Sequence, residues 1–315
     1  MQPIELLLTH PLPSSPRQGE LDGFVLHKLW EAADPDAFIA QIGERVRGVI
    51  ASRPTPINEA LFNRLPNVEI VSNFGVGYDQ IDVDAATRHG VVVTNTPSVL
   101  DEEVADLALG LLLATVRRIP QADRYLRDGQ WLKSSFPLSA SLRGRTVGIL
   151  GLGNIGLAIA RRLSGFDVGI AYHSRRQRTD VSYRYYDSPG ALAEAVDVLI
   201  LIVPGTAETR HLVDAALLEK LGPNGILINV ARGIVVDEQA LIKALADGTI
   251  LAAGLDVFER EPNVPAALIE ADNVVLLPHV GSASEPTRGA MADLVIANIC
   301  GWFSDKQVVT PVNQG

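Results

Sequence analysis

The chain has 315 residues, 47% of them hydrophobic, which is enough to bury two cores of ordinary domain size and excludes a disordered protein. Its 27 Lys and Arg stand against 37 Asp and Glu, and the net charge of −10 is spread without acidic or basic blocks, so nucleic acid is not expected as a partner. A single cysteine, Cys300, and the lack of any Cys/His cluster at metal-ligand spacing point to a reducing compartment, a metal-free site and redox chemistry borrowed from a cofactor.

In chain order, short apolar runs recur at intervals too long for hairpins, with helical stretches between them, which is the pattern of an α/β fold with parallel strands. Strands are expected at 4–8, 24–27, 48–50, 68–72 and 91–94, and helices at 36–47, 57–65 and 82–89, together forming one doubly wound unit. The composition shifts at Pro97, and the residue before a proline is pushed out of helix, so the domain boundary is placed there. Next comes a helix at 101–117, rich in Ala and Leu and apolar nearly all round, which should be buried between domains or subunits, with 122–127 continuing as helix. A second series of strands is expected at 146–150, 168–172, 198–203, 225–230, 251–256 and 274–277, followed by a last helix over 285–303. The longest apolar runs, 107–116 and 198–203, are far short of the roughly 20 residues a membrane span needs. Residues 1–10 lack the basic stretch of a secretory signal, so the expectation is a cytoplasmic protein with no membrane partner.

Gly151-Leu152-Gly153-Asn154-Ile155-Gly156 places G-x-G-x-x-G directly between the strand at 146–150 and a helix over 157–163. In a dinucleotide-binding unit Gly151 permits the tight turn, Gly153 lets the pyrophosphate approach the backbone, and Gly156 allows close packing of helix on strand. Asn154 and Ile155 then lie at the helix N-terminus that faces the phosphates. An NAD site wants an acid about 20 residues further on, for the ribose 2′-hydroxyl. Here His173-Ser174-Arg175-Arg176 stands there instead, and the nearest acids, Asp167 and Asp180, fall before the strand and well past its end. Ser174, Arg175 and Arg176 suit a 2′-phosphate, so the expected cofactor is NADP; the plainer alternative is a pair of solvated loop charges.

Three later strands run into polar residues at their carboxyl ends, where ligands bind in open α/β sheets. They are 227–233, ending in Arg232; 253–262, carrying Asp256 and Glu261; and 274–282, carrying Pro278-His279. Hydride transfer to a 2-keto acid needs a cation for the carboxylate and carbonyl and a proton donor for the oxygen. Arg232 could be the first and His279 the second, and a carboxylate such as Glu261 on the far ring nitrogen would fix the tautomer and favour the charged imidazole. Singly, each has a bland alternative as a core, capping or surface residue.

Taken together, these segments resemble the D-isomer-specific 2-hydroxyacid dehydrogenases over essentially the whole chain. Glu261 follows Arg232 by 29 residues and His279 follows Glu261 by 18, which is similar to that family's own arrangement. The resemblance implies two doubly wound parallel-sheet domains: a Rossmann cofactor domain at 98–285, and a discontinuous substrate-binding domain at 1–97 and 286–315. It implies Arg232 as substrate anchor, His279 as acid/base and Glu261 as its partner. It further implies a cofactor lined by Val203, Pro204, Thr209, Val230, Arg232, His279 and Gly281, with Asp256 holding the nicotinamide carboxamide. In 73–79, reading Asn-Phe-Gly-Val-Gly-Tyr-Asp, the N–H groups of Val76 and Gly77 are implied to hold the substrate carboxylate. Stretches 254–262 and 273–282 look closest to the NADPH-using glyoxylate/hydroxypyruvate and hydroxyphenylpyruvate reductases. The implied activity is therefore reduction of small 2-keto acids to D-2-hydroxy acids, by a homodimer joined through the helix at 101–117. Segments 51–54 and 131–138 are expected to face the substrate. Two other functions share the pattern: a dinucleotide-sensing protein resembling the corepressors of this fold, and an NAD-dependent D-lactate or phosphoglycerate dehydrogenase.

Overall fold

A computed structural model describes residues 3–52 and 55–313, and it divides the chain into two units, Met1–Leu100 with Ser282–Gly315, and Asp101–Gly281. In the first unit β1 (Ile4–Leu8), β2 (Phe24–Lys28), β3 (Val46–Ala51), β4 (Ile70–Asn73) and β5 (Val92–Thr94) form one parallel sheet in the order β2-β1-β3-β4-β5. Successive side chains of a strand point to opposite faces. Leu7, Val49, Val71 and Val93 accordingly face one way, into a core that includes Ile39, Phe62 and Ala85 from the helices Pro35–Ile42, Glu59–Arg64 and Val83–Arg88. Leu6, Leu8, Ile50 and Ile70 face the other way, onto Val295, Ile296 and Ile299 of the last helix, Glu285–Asp305. Those three side chains are wholly buried, and each contributes about 1.5 to 3 kcal/mol, which brings the end of the chain back to its beginning.

The helix expected over 36–47 stops at Ile42, because Val46 pairs with Glu5 of β1 as the start of β3. Gly43 ends it: a Cβ there would stand 2.1 Å from the Arg64 carbonyl oxygen, and only a glycine permits that approach.

The second unit holds seven parallel strands: β6 (Thr146–Leu150), β7 (Gly169–His173), β8 (Arg184–Tyr185), β9 (Val198–Leu201), β10 (Ile226–Asn229), β11 (Ala252–Leu255) and β12 (Val274–Leu276). Their order is β12-β11-β10-β9-β6-β7-β8. The chain builds outward from β6 to β8, returns to lay β9 on the other side of β6, and builds outward again. That reversal between β6 and β9 is the switch point beside which such sheets bind ligands.

Helix Asp101–Arg117 packs on helix Asn154–Leu163 and on β11, with Ala105, Ala108 and Leu112 wholly inaccessible. A glycine of β11 permits the close approach: a Cβ on Gly254 would fall 2.5 Å from Thr115 Oγ1 and 2.9 Å from Leu111 Cγ. The apolar character of this helix, expected to serve an interface between domains or subunits, is thus largely accounted for by its own unit. The continuation beyond it is also broken. Arg118 adopts a left-handed conformation (φ 54°), and a new helix, Ile119–Arg127, starts with Pro120 in its first turn, where the missing N–H costs nothing. Among the described residues no helix is long and apolar enough to cross a membrane.

Candidate active site

The strands of the second unit end at the positions where the sequence turns polar. After β6, Gly151 has φ 105°, and a Cβ there would lie 2.8 Å from the Ile202 carbonyl oxygen and 3.1 Å from Val203 Cγ1, so the turn after β6 rests on the end of β9. A Cβ on Gly156 would lie 2.2 Å from Gly151 O, which is the close helix-to-strand contact expected of that glycine. Above Gly153 a Cβ would meet nothing within 4 Å, and the helix that opens at Asn154 has no side-chain cap and no acid in its first turn. Open space over a glycine at an uncapped helix N-terminus suits the phosphates of a dinucleotide, whose oxygens can accept from the first-turn N–H groups. Ile155 is half-buried there. Asn154 bonds the Asp101 carboxyl, which burial pushes above its usual range. Beyond β9, Thr209 Oγ1 donates to Pro204 O (2.6 Å) and accepts from Thr206 N (2.8 Å), knitting 204–209 into a single turn.

Beyond β7 the loop 173–178 is pinned at both ends. His173 O accepts from Gly151 N (2.9 Å), and the fully buried Tyr172 takes Arg178 N on its hydroxyl (2.9 Å). Ser174 Oγ donates to Arg176 O (2.7 Å). Arg175 and Arg176 are exposed at the tip, and among the described residues neither guanidinium makes a hydrogen bond or ion pair. Arg175 lies close enough to Glu208 to help Thr206 hold that carboxyl below its usual range.

On the other side of the switch point, β10 leads into Val230-Ala231-Arg232-Gly233. Asn229, 1% exposed, bonds both ends of this turn, accepting from Ala231 N (3.0 Å) and donating to Arg232 O (3.1 Å). Gly233 presses on the next segment so closely that a Cβ would lie 1.9 Å from Phe258 C and 2.3 Å from Glu259 N. In that segment Glu261 accepts from Phe258 N on Oε1 (3.1 Å) and from His279 Nδ1 on Oε2 (2.7 Å). With its Nδ1 proton committed to a carboxylate, His279 presents Nε2 as its second ring nitrogen. Glu238, buried at 9% exposure, accepts from Glu259 N (2.7 Å), and burial raises its carboxyl above the usual range.

His279 sits in a left-handed conformation (φ 54°), which a residue with a side chain adopts only when its surroundings hold it. Asp256 does this. Its carbonyl accepts from His279 N (2.9 Å) and its carboxylate from Val280 N (2.8 Å) and Gly281 N (2.9 Å). Burial pushes the Asp256 carboxyl up, while these two N–H groups and the nearby imidazole favour its ionised form. This grip on the 279–281 turn is not legible in the sequence, where the family resemblance implies for Asp256 only a contact with the nicotinamide carboxamide.

In the first unit, Asn73 is fully buried and donates to Gly75 O and Gly77 O (both 3.0 Å), while Asn95 donates to Val76 O (2.9 Å). The carbonyls of this turn are thus taken, and the N–H groups of Val76 and Gly77 have no acceptor among the described residues. Of the segments expected to face the substrate, Arg53 and Pro54 lie outside the described residues, and 131–138 runs along the surface of the second unit with Trp131, Leu132 and Leu138 exposed.

Residues 109–281 match the NAD-binding domain of the D-isomer-specific 2-hydroxyacid dehydrogenases. The chain belongs to that family. Full-length relatives agree. This dehydrogenase is 46% identical to glyoxylate/hydroxypyruvate reductase A of Arabidopsis thaliana, over 99% of its own length and 100% of the relative's, and 45% identical, with the same coverage, to a hydroxyphenylpyruvate reductase of Plectranthus scutellarioides. Among solved structures it resembles the NADPH-dependent glyoxylate/hydroxypyruvate reductase of Sinorhizobium meliloti in complex with NADP and malonate. That match has a TM-score of 0.92 and 52% identity, covering 99% of this dehydrogenase and 97% of the other chain.

Proposed function

We propose that the chain reduces small 2-keto acids, glyoxylate and hydroxypyruvate with hydroxyphenylpyruvate in range, to D-2-hydroxy acids at the expense of NADPH. The observation that carries this reading is the 2.7 Å pair of His279 Nδ1 and Glu261 Oε2, set on the same sheet as an uncapped, glycine-rich dinucleotide turn. When bound, the nicotinamide supplies the hydride. The Arg232 guanidinium holds the substrate carboxylate and polarises its carbonyl. His279 delivers a proton from Nε2 to the oxygen that becomes the hydroxyl, and Glu261 stabilises the imidazolium through Nδ1 before that transfer. Val203, Pro204, Thr209, Val230, Asp256 and Gly281 line the cofactor, and Ser174, Arg175 and Arg176 receive its 2′-phosphate. Initial rates with glyoxylate, hydroxypyruvate, pyruvate and hydroxyphenylpyruvate, each with NADPH and NADH, test the reading. Turnover with NADPH is expected, and no turnover would favour a nucleotide-sensing protein.

The cofactor assignment makes its own prediction. A charge-assisted bond to a phosphate is worth about 1.5 to 3 kcal/mol, so Arg175→Ala should raise the KM for NADPH by roughly 10- to 100-fold and leave that for NADH near wild type. Equal loss of both cofactors would return the two arginines to the status of loop charges.

We infer further that the protein is a homodimer whose contact involves the exposed apolar side chains Ile119, Leu126, Trp131, Leu132 and Leu138, which fall within twenty residues of one another in the chain. Sedimentation equilibrium should return twice the chain mass, and a monomer would overturn the inference.

A further inference from the structure

The loop beyond β7 carries a third arginine, which differs from Arg175 and Arg176. Arg178 is spoken for: its Nε donates to Asp180 Oδ1 (2.9 Å), its Nη2 to Asp180 Oδ2 (2.5 Å), and its Nη1 to Leu152 O (3.3 Å), inside the glycine turn. One planar guanidinium therefore bridges the acid and the turn, which places the Asp180 carboxylate within about a guanidinium's width of the turn that approaches the dinucleotide. The bridge is held in place by its backbone, since the buried Tyr172 hydroxyl accepts from Arg178 N (2.9 Å) and donates to Arg178 O (3.4 Å). Asp180 is 60% exposed, so water alone would satisfy it and its pairing is not forced by burial.

We propose that Arg178 determines cofactor choice by masking Asp180, the first acid in the chain after the end of β7, so that its charge does not oppose the 2′-phosphate. This rests on the NADPH reading above and deepens it: Arg175 and Arg176 supply the attraction, and Arg178 removes a repulsion that would work against them. A bare carboxylate beside the turn would repel a phosphate dianion wherever the two came within the roughly 8 Å screening length of physiological salt, and it would offer the ribose hydroxyls of NADH an acceptor. The carboxyl of Asp180 is held below its usual range chiefly by this guanidinium, and an exposed aspartate stays ionised at neutral pH without it.

The test is a set of four proteins assayed with both cofactors: wild type, Arg178→Met, Arg178→Lys, and the double variant Arg178→Met with Asp180→Asn. Methionine keeps the unbranched stem and drops the charge. Arg178→Met should raise the KM for NADPH about tenfold while that for NADH stays level or falls, and the change should shrink in 0.5 M salt. Arg178→Lys, which still cancels the charge, should stay within a few-fold of wild type, and the double variant should recover the NADPH KM. If the double variant remains as weak as the single one, Arg178 touches the phosphate itself and the masking role is wrong. If Arg178→Met weakens both cofactors alike and lowers Tm, the residue only braces the loop, which also overturns the proposal. The Arg175→Ala variant separates this from the parent reading: a wild type without NADPH preference sinks both, whereas a preference lost in Arg175→Ala and kept in Arg178→Met sinks the mask alone.

Discussion

His279→Asn is expected to lower kcat by at least about 100-fold and leave the Kd for NADPH near wild type. Proton transfer from a positioned side chain contributes roughly 10² to 10⁴ in rate, and an amide cannot supply a proton at neutral pH. Asparagine is also the side chain best suited to the left-handed backbone at this position (φ 54°), so the substitution removes the acid without unwinding the turn that Asp256 holds. The phosphate-facing turn lies at the end of a different strand, β6, which is why cofactor binding should survive. Stopped-flow reduction and fluorescence titration measure the two quantities separately. Turnover retained in His279→Asn would assign the proton to another group.

Gly233→Ala should be the most damaging single methyl group in the second unit. Its Cβ would lie 1.9 Å from Phe258 C, 2.0 Å from Phe258 O and 2.3 Å from Glu259 N, all backbone atoms that cannot rotate away. Overpacking of flexible side chains costs about 1 to 3 kcal/mol, and a backbone clash belongs at or beyond the upper end. For a protein of this size that is a fall in Tm of roughly 5 to 10 °C, at about 2 to 4 °C per kcal/mol. Whatever folds should also be slow, because relief of the clash moves either Arg232 or the 258–261 segment that carries Glu261, and a displacement of about 1 Å can cost 100-fold in rate. Gly110→Ala is the control, since a Cβ there meets nothing within 4 Å in a helix interior; it should leave Tm level or raise it slightly. Wild-type Tm and kcat in Gly233→Ala would mean that the two segments are not packed as described.

Both results turn on contacts that were unequally legible in the amino-acid order. The glycine turn could be read because each of its glycines answers a local demand: a positive φ at Gly151, and a neighbouring carbonyl oxygen at Gly156. Arg232, Glu261 and His279 could be picked out because apolar strands end in polar residues where a parallel sheet opens to ligands, and because their order resembles a known family. The positions behind them could not. Asp256 gripping Val280 and Gly281, Glu238 on Glu259 N, Asn73 on the 75–77 turn and Arg178 on Asp180 and Leu152 are partnerships that no spacing rule announces. The same limit explains why the helix expected over 36–47 ends at Ile42. Val46 fits a helical stripe as well as a strand, and only its pairing beside Glu5 of β1 decides between them. The bounds of the helix at 101–117 are legible in its composition, yet what covers its apolar face is a neighbouring helix and strand of its own unit, information that periodicity does not hold.

The return of the last helix to the first unit has a consequence for how the protein is made. A ribosome delivers the five strands of that unit first, but one face of their sheet stays bare, with Leu6, Leu8, Ile50 and Ile70 waiting for Val295, Ile296 and Ile299. Every strand of the second unit has emerged by Leu276, before the covering helix begins at Glu285. The inserted half can therefore mature while the half that encloses it in sequence is still unfinished, so the domain that starts first is completed last. During that interval the nascent chain exposes an oily sheet face, and a stop codon ahead of Val295, Ile296 and Ile299 would leave it so for good.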